Sequence, residues 1–234
     1  MAKKFQLACI QASVEVIDDP ADKKDVIARN IERGLNIAES AIVREEAKII
    51  VFPEAWLQGF NHTRSDQDWE DICIQIPGPE TAKIGAFAKK HQVYVAGAAF
   101  ERDPDWPEVW FTTGFILGPS GEVELRYRKI HEHNLEGLIP NVSPADVLTD
   151  YTSRYGEDSL FPVLDTPYGR LAMMVEHDMN FFELSRVLTF HGAEILLHPT
   201  AEWNGPMVHT LDQARRSRAY ENFIYLASAN AGAI

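Results

Sequence analysis

Three charged residues stand just beyond apolar runs that read as strands. Glu54 follows Ile49-Ile50-Val51-Phe52, Lys129 follows Val123 to Arg128, and Glu176 follows Leu171 to Val175. In open α/β sheets, sites form beyond the carboxyl ends of strands. A carboxylate there can take a proton from an attacking group. An ammonium can steady negative charge developing on a substrate oxygen or nitrogen. One such residue alone is ordinarily a solvated loop residue. Three of them, each in its own local sequence, point to a shared site.

The elements that must position them alternate along the chain. Phe5 to Ala12 reads as a strand. Pro20 to Glu46 carries Val26, Ile27, Ile31, Leu35, Ala38 and Ile42 at helical spacing. Lys48 to Phe52 is a continuous apolar run, as in a strand buried on both faces. Glu80 to His91 predicts a second helix after Pro77-Gly78-Pro79, and Val93 to Phe100 a strand. Val109–Leu117 and Glu122–Arg128 flank Gly118-Pro119-Ser120-Gly121, which predicts a hairpin. Phe161–Asp165 and Arg170–Val175 flank Thr166-Pro167-Tyr168-Gly169 and predict another. Helices follow over Phe181–His191 and His209–Asn222, with strands over Glu194–His198 and Ile224–Ser228. This alternation is α/β, and the hairpins make the sheet mixed. Ile130 to Ser159 shows no periodicity, which suits a lid or pocket wall.

Composition limits the function. The 234 residues have ordinary globular usage, with 45% hydrophobic and 24% charged residues. A chain of this length buries roughly 70–75% of its unfolded surface. The net charge of −13 argues against nucleic acid and anionic lipid as partners. Cys9 and Cys73 form no disulfide framework, and no signal peptide or membrane span is read; the expectation is a cytoplasmic protein. Both cysteines are expected in the core. Trp69, Trp106 and Trp110 are expected to serve packing or the surface.

Five motifs in order carry a resemblance. They are Val51-Phe52-Pro53-Glu54, Tyr127-Arg128-Lys129-Ile130-His131, Tyr168-Gly169-Arg170-Leu171-Ala172, Phe182-Glu183-Leu184-Ser185-Arg186 and Gly192-Ala193-Glu194-Ile195. With Arg218-Ala219-Tyr220-Glu221-Asn222 before the last strand, the chain resembles the nitrilase superfamily of carbon–nitrogen hydrolases from Phe5 to its end. The resemblance implies a single domain over 1–234 folded as a four-layer α-β-β-α sandwich. It implies no cofactor and no metal, and a small amide, carbamoyl compound or nitrile as substrate. Glu54 would be the general base and Lys129 the oxyanion-stabilising cation. Glu136 best matches a second glutamate found in many members. The helices over Phe181–His191 and His209–Asn222 would pair subunits into a homodimer or larger homo-oligomer.

Substrate-binding candidates are Trp56 and Phe60 after Glu54, His177 beside Glu176, and Thr200, Glu202 and Trp203 after Pro199. His131 and His133 are spaced like a short metal pair, but zinc needs three or four converging ligands.

The resemblance breaks at the nucleophile. The family places its cysteine directly after the strand, where this chain has Val175-Glu176-His177-Asp178. Phe182 stands where the family commonly has proline, and the family continues past Asn230 with further sheet, so the C-terminal part is expected to be missing. A carboxylate adding to an amide makes an adduct that falls back, because a leaving group with a parent acid near about 4.3 departs before an amine. Little turnover is therefore expected. The alternatives are a non-catalytic binding or scaffold relative, and a hydrolase recast around the acidic cluster with a bound metal. Glu54, Glu136 and Glu176 around one lysine predict that one glutamate is protonated near neutrality.

Overall fold

The computed structural model describes residues 4–132, 139–202 and 208–232. The chain builds two sheets, one from each half. The first has strands in the order β1 (Gln6–Cys9), β2 (Ala47–Val51), β3 (Tyr94–Glu101), β4 (Phe111–Leu117) and β5 (Val123–Arg128). β1, β2 and β3 run parallel, and β3–β4 and β4–β5 pair antiparallel. Two antiparallel steps restore direction, so β5 runs the same way as β2. The second sheet has the order β6 (Leu164–Thr166), β7 (Gly169–Met173), β8 (Ile195–Thr200) and β9 (Tyr225–Asn230). β6 and β7 form the hairpin, and β7, β8 and β9 run parallel.

Side chains alternate across a strand, so each strand of the first sheet feeds two cores. Ile50, Phe52, Val95 and Ala99 face outward and pack with Ile27, Ile31 and Ile84 of α1 (Lys23–Glu45) and α3 (Pro79–His91). Ile49, Val51, Ala96 and Ala98 face inward onto Met173, Leu196 and Leu197 of the second sheet. Leu184 and Leu188 of α5 (Phe182–Phe190) join that inner core, and α6 (Val208–Asn222) packs beside α5. The layers are helix, sheet, sheet, helix, as the resemblance implies.

The structure departs from the sequence reading in particular places. β1 ends at Cys9 rather than Ala12, and Cys9 is exposed, not core, because β1 lies at the edge of its sheet. Cys73 is buried as expected, and burial pushes its thiol up. The unpatterned stretch contains α4 (Leu148–Tyr155) and a 3-10 turn over Glu157–Leu160. A short α2 (Asp66–Ile72) is also present, opened by Ser65, which accepts from the Asp68 amide at 3.2 Å. Trp69, Trp106 and Trp110 are buried.

Candidate active site

Because β2 and β5 run the same way, their carboxyl ends meet at one edge of the first sheet. The parallel strands of the second sheet end there too: the Glu54 amide donates to the carbonyl of Thr200, the last residue of β8, at 3.3 Å. Glu54, Lys129 and Glu176 are thereby brought together. Lys129 Nζ lies 3.1 Å from Glu54 Oε1 and 3.1 Å from Glu176 Oε2. A fourth member is Glu132, whose Oε2 is 3.7 Å from the same nitrogen. The Glu54, Lys129 and Glu132 side chains are 4%, 4% and 6% exposed, whereas Glu176 keeps 21%.

Glu176 opens a 3-10 turn, Glu176–Asn180, with φ of +40°. That left-handed backbone is costly for a residue with a Cβ and persists only where the surroundings hold it. Two neighbours do so. Buried Asp178 accepts from the Val175 amide (2.9 Å) and the Tyr127 hydroxyl (2.7 Å) through one oxygen. Its other oxygen accepts from the His131 amide (2.9 Å) and meets His131 Nδ1 at 3.0 Å. Buried His198 places Nε2 3.1 Å from the Glu176 carbonyl and Nδ1 2.9 Å from Ser228 Oγ. A carbonyl only accepts, so Nε2 carries the proton and Nδ1 accepts from the hydroxyl. The imidazole is neutral, and burial lowers its pKa, keeping it so.

The electrostatics follow from burial and charge count. Burial pushes Glu54 up to about 8, with Glu176 and Glu132 adding to the rise and Lys129 opposing it. Burial pushes Glu132 up to about 7, again against Lys129. Burial alone would lower Lys129, but Glu54, Glu132, Glu176 and Asp178 outweigh it and hold the ammonium well above its usual range. At neutral pH Lys129 is charged and Glu54 is chiefly protonated. This agrees with the expectation of a protonated glutamate, but the third acid described is Glu132. Glu136 lies outside the described residues.

The other candidates separate. Trp56 is buried in the outer core, stacked on Phe52 with ring centroids 4.1 Å apart. It fits against Gly34 and Gly97, where an added Cβ would come within 2.8 Å and 2.7 Å of the indole. Phe60 packs edge-on to Trp69 in the same core. The expectation that Trp56 walls the substrate pocket is therefore corrected, because its ring lies in the outer core between the first sheet and α1, whereas Phe60 is half-buried against Trp69 and Phe100. His177 contacts Asn180 at 2.9 Å and packs on Phe181. Thr200 donates to Glu202 at 2.8 Å, and Arg215 ion-pairs with the same carboxylate, so Glu202 serves a clasp between β8 and α6. Trp203 and His133 lie outside the described residues. Among the described residues no group of three His, Cys, Asp or Glu is placed to hold a metal ion.

Glu132, Asp178, Tyr127 and His198 were missed in the sequence reading. A histidine inside the otherwise apolar run Ile195–Leu197 was the available signal for His198; nothing comparable marked Glu132. A groove of about 1240 Å³ is lined by Lys4–Leu7, Lys48 and Ile224–Ala227 at the opposite end of the strands, and contains none of the cluster. No helix among the described residues is long and apolar enough to cross a membrane.

Comparison with known proteins places this geometry in a family. The profile described as "Carbon-nitrogen hydrolase" matches residues 6–233. The omega-amidase of Homo sapiens is 28% identical over 228 residues, covering 97% of this chain and 74% of the relative. The formamidase of Bacillus thuringiensis is 31% identical over 227 residues, covering 97% of this chain and 62% of the relative. Among solved structures, Saccharomyces cerevisiae Nit3, a member of branch 10 of the nitrilase superfamily, superposes with a TM-score of 0.76 at 19% identity, over 99% of this chain and 79% of that one. A variant of the amidase from Nesterenkonia sp. AN1, with acrylamide added at its active-site cysteine, gives a TM-score of 0.68 at 20% identity, over 97% and 79%. The two structures show a shared fold, and the profile, running nearly end to end, shows descent: the chain belongs to the carbon–nitrogen hydrolase family of the nitrilase superfamily.

Proposed function

We propose that this chain receives a small amide or related non-peptide C–N compound at the Glu54–Lys129–Glu176 cluster and turns it over little, because a carboxylate stands where the family's thiol attacks. The observation carrying this reading is the single ammonium of Lys129 held 3.1 Å from both Glu54 and Glu176. The omega-amidase and formamidase relatives support an amide as ligand. In this reading the ionised fraction of Glu54, which grows as the pH rises towards about 8, takes a proton, and Lys129 stabilises charge developing on the substrate oxygen. Glu176 supplies the negative charge that a thiolate would place beside Lys129, without its nucleophilicity.

The test is Glu176→Cys, assayed for ammonia release from acetamide, formamide and longer amides. In the variant the thiol gives its proton to ionised Glu54, sulfur bonds to the carbonyl carbon, Glu54 returns that proton to the departing nitrogen so that ammonia leaves as the C–N bond breaks, and water then cleaves the thioester to release the acid and restore the thiol. Ammonia release at least about a hundredfold above the unaltered chain is expected, since a lost nucleophile leaves only the residual rate from binding and electrostatics. Hydrolysis by the unaltered chain as fast as by the variant would overturn the reading. Amide binding without any gain in ammonia release would favour a binding protein that keeps the pocket.

The same reading treats residues 1–234 as one domain that pairs with a second copy through α5 and α6. Support comes from the exposed aromatic side chains of Phe190, Tyr220 and Phe223 on and beside these helices.

A further inference from the structure

Asp178 belongs to the second half of the chain, in the turn that Glu176 opens, yet its carboxylate also grips Tyr127 and His131 of the first half. One oxygen accepts from the Tyr127 hydroxyl at 2.7 Å and from the Val175 amide at 2.9 Å. The other accepts from the His131 amide at 2.9 Å and lies 3.0 Å from His131 Nδ1, which carries a proton because a carboxylate only accepts. Tyr127 and His131 stand two residues to either side of Lys129, and Val175 directly precedes Glu176. One fully buried carboxylate thus takes hold of the chain on both sides of the ammonium-bearing residue and just ahead of position 176.

Other bonds fix each residue within its own half. The Lys129 amide donates to the Thr112 carbonyl of β4 at 2.9 Å, and the Ser143 hydroxyl donates to the Ile130 carbonyl at 2.6 Å. His198 of β8 holds the Glu176 carbonyl from within the second sheet. Asp178 ties one half to the other at the point where Lys129 Nζ and Glu176 Oε2 meet at 3.1 Å. The attraction between two charges depends on their separation, and a reactive constellation has to be held to within about 0.5 Å.

We propose that Asp178 is the positioning residue that sets the separation between Lys129 and the side chain at position 176, by gripping Tyr127, His131 and Val175 at once. This deepens the reading of the Glu54–Lys129–Glu176 cluster as the reactive site and takes its catalytic meaning from it. Asp178 works through its neighbours, not by touching substrate. Asp178→Asn is the discriminating change. Each carboxylate oxygen takes two donors here, whereas an amide has one accepting oxygen and one NH2 group. Whichever way the amide lies, its NH2 group faces donors on one side. Either the grip on Tyr127 and Val175 opens, or the grip on His131 does.

The experiment places a thiol at position 176 with Glu176→Cys and follows its alkylation by iodoacetamide from about pH 5 to about pH 10. Peptide mass spectrometry reads that position apart from exposed Cys9, and buried Cys73 staying unalkylated certifies the fold. The thiolate is the reacting form, so the midpoint of the profile reports the charge beside the sulfur and the plateau reports access. Glu54, Glu132, His177 and His198, the other titratable groups about this position, are the same in every variant. Adding Asp178→Asn is expected to raise the midpoint by about one pH unit, a tenfold smaller ratio of thiolate to thiol, because the sulfur loses Lys129 as its neighbour. The sign decides the matter, since removing a negative charge would by itself lower the midpoint. Adding Tyr127→Phe instead, which alters no charge at neutral pH and loosens one grip, is expected to lower that ratio about threefold. A midpoint that falls or stays in place with Asp178→Asn overturns the proposal. Should that variant fail to fold, an unmoved midpoint with Tyr127→Phe overturns it. If Glu176→Cys gains amide hydrolysis and the midpoint does not move, this inference fails and the proposed function stands. If the midpoint rises as stated and Glu176→Cys releases no ammonia from any amide, the positioning stands and the catalytic reading of the cluster fails.

Discussion

His198 holds the carbonyl of Glu176 at 3.1 Å from the strand next to it. The bond is made by the neutral ring, and burial keeps the imidazole pKa below its usual value. A histidine with a lowered folded-state pKa contributes stability above its unfolded pKa, and this is lost as the pH falls through that value and down to the folded one. His198→Ala would leave the Glu176 carbonyl and the Ser228 hydroxyl without this partner, at a cost of about 2–4 kcal/mol near neutrality. The gap between the variant and the unaltered chain should narrow towards pH 5. Urea melts at several pH values measure it, and a gap that widens on acidification would contradict the assignment.

Lys129→Met removes the only cation that the described residues place among Glu54, Glu132 and Glu176. Breaking a buried pair in this way costs about 3–5 kcal/mol while the acids remain ionised. The acids can discharge by taking up protons, so the penalty should be largest above pH 8 and should shrink towards pH 5. Thermal melts across that range would show it, and a constant penalty would mean that the carboxyls do not titrate together.

Glu54→Gln keeps the shape and an acceptor for Lys129 but does not ionise. The Glu54 carboxyl is raised from 4.5 to about 8. A raised acid contributes its full stability below the unfolded pKa and loses it as pH climbs to the folded value. The variant should therefore match the unaltered chain near pH 4.5 and become more stable as pH rises to 8, by on the order of 1–2 kcal/mol. Parallel stability curves would argue for an ordinary carboxyl.

Gly97→Ala would place a Cβ 2.7 Å from the Trp56 indole nitrogen. Trp56 is confined on its other side by Gly34, so the ring cannot retreat, and a loss of about 1–3 kcal/mol is expected. Gly114→Ala is the control. Its Cβ would meet the Met173 methyl at 3.0 Å, and a flexible thioether yields where an indole does not. Equal melting temperatures for the two variants would show that Trp56 has room to move.

Phe190→Glu together with Tyr220→Glu places charge on the exposed faces of α5 and α6. If two copies pair there, the double variant should sediment as a monomer at concentrations where the unaltered chain is dimeric. Unchanged sedimentation would remove these helices from the interface.

Much of the framework could be read from the residues because it rests on strong local signals. Turn clusters at Gly118–Gly121 and Thr166–Gly169 marked both hairpins, and strand-end placement was enough to bring Glu54, Lys129 and Glu176 together. Other parts lacked such signals. α2 spans seven residues and buries only Trp69 and Ile72, too little for a visible period. α4 buries Tyr151 alone. Trp56 was misplaced because aromatic residues after a catalytic position suggest a pocket wall. The intervening Ala55 takes φ of +51°, and that turn carries the ring into the outer core. Glu132 lies in irregular backbone, where spacing says nothing about direction.

Each half of the chain contributes one sheet, and the charged cluster draws Glu54 and Lys129 from one half and Glu176 from the other. The ion pair is thus a seam as well as a site. Any slippage of one sheet over the other pulls the ammonium off one acid and floods the rest with water. The protonation of Glu54 is therefore a built-in gauge of how well the two halves are seated, readable before any substrate is found.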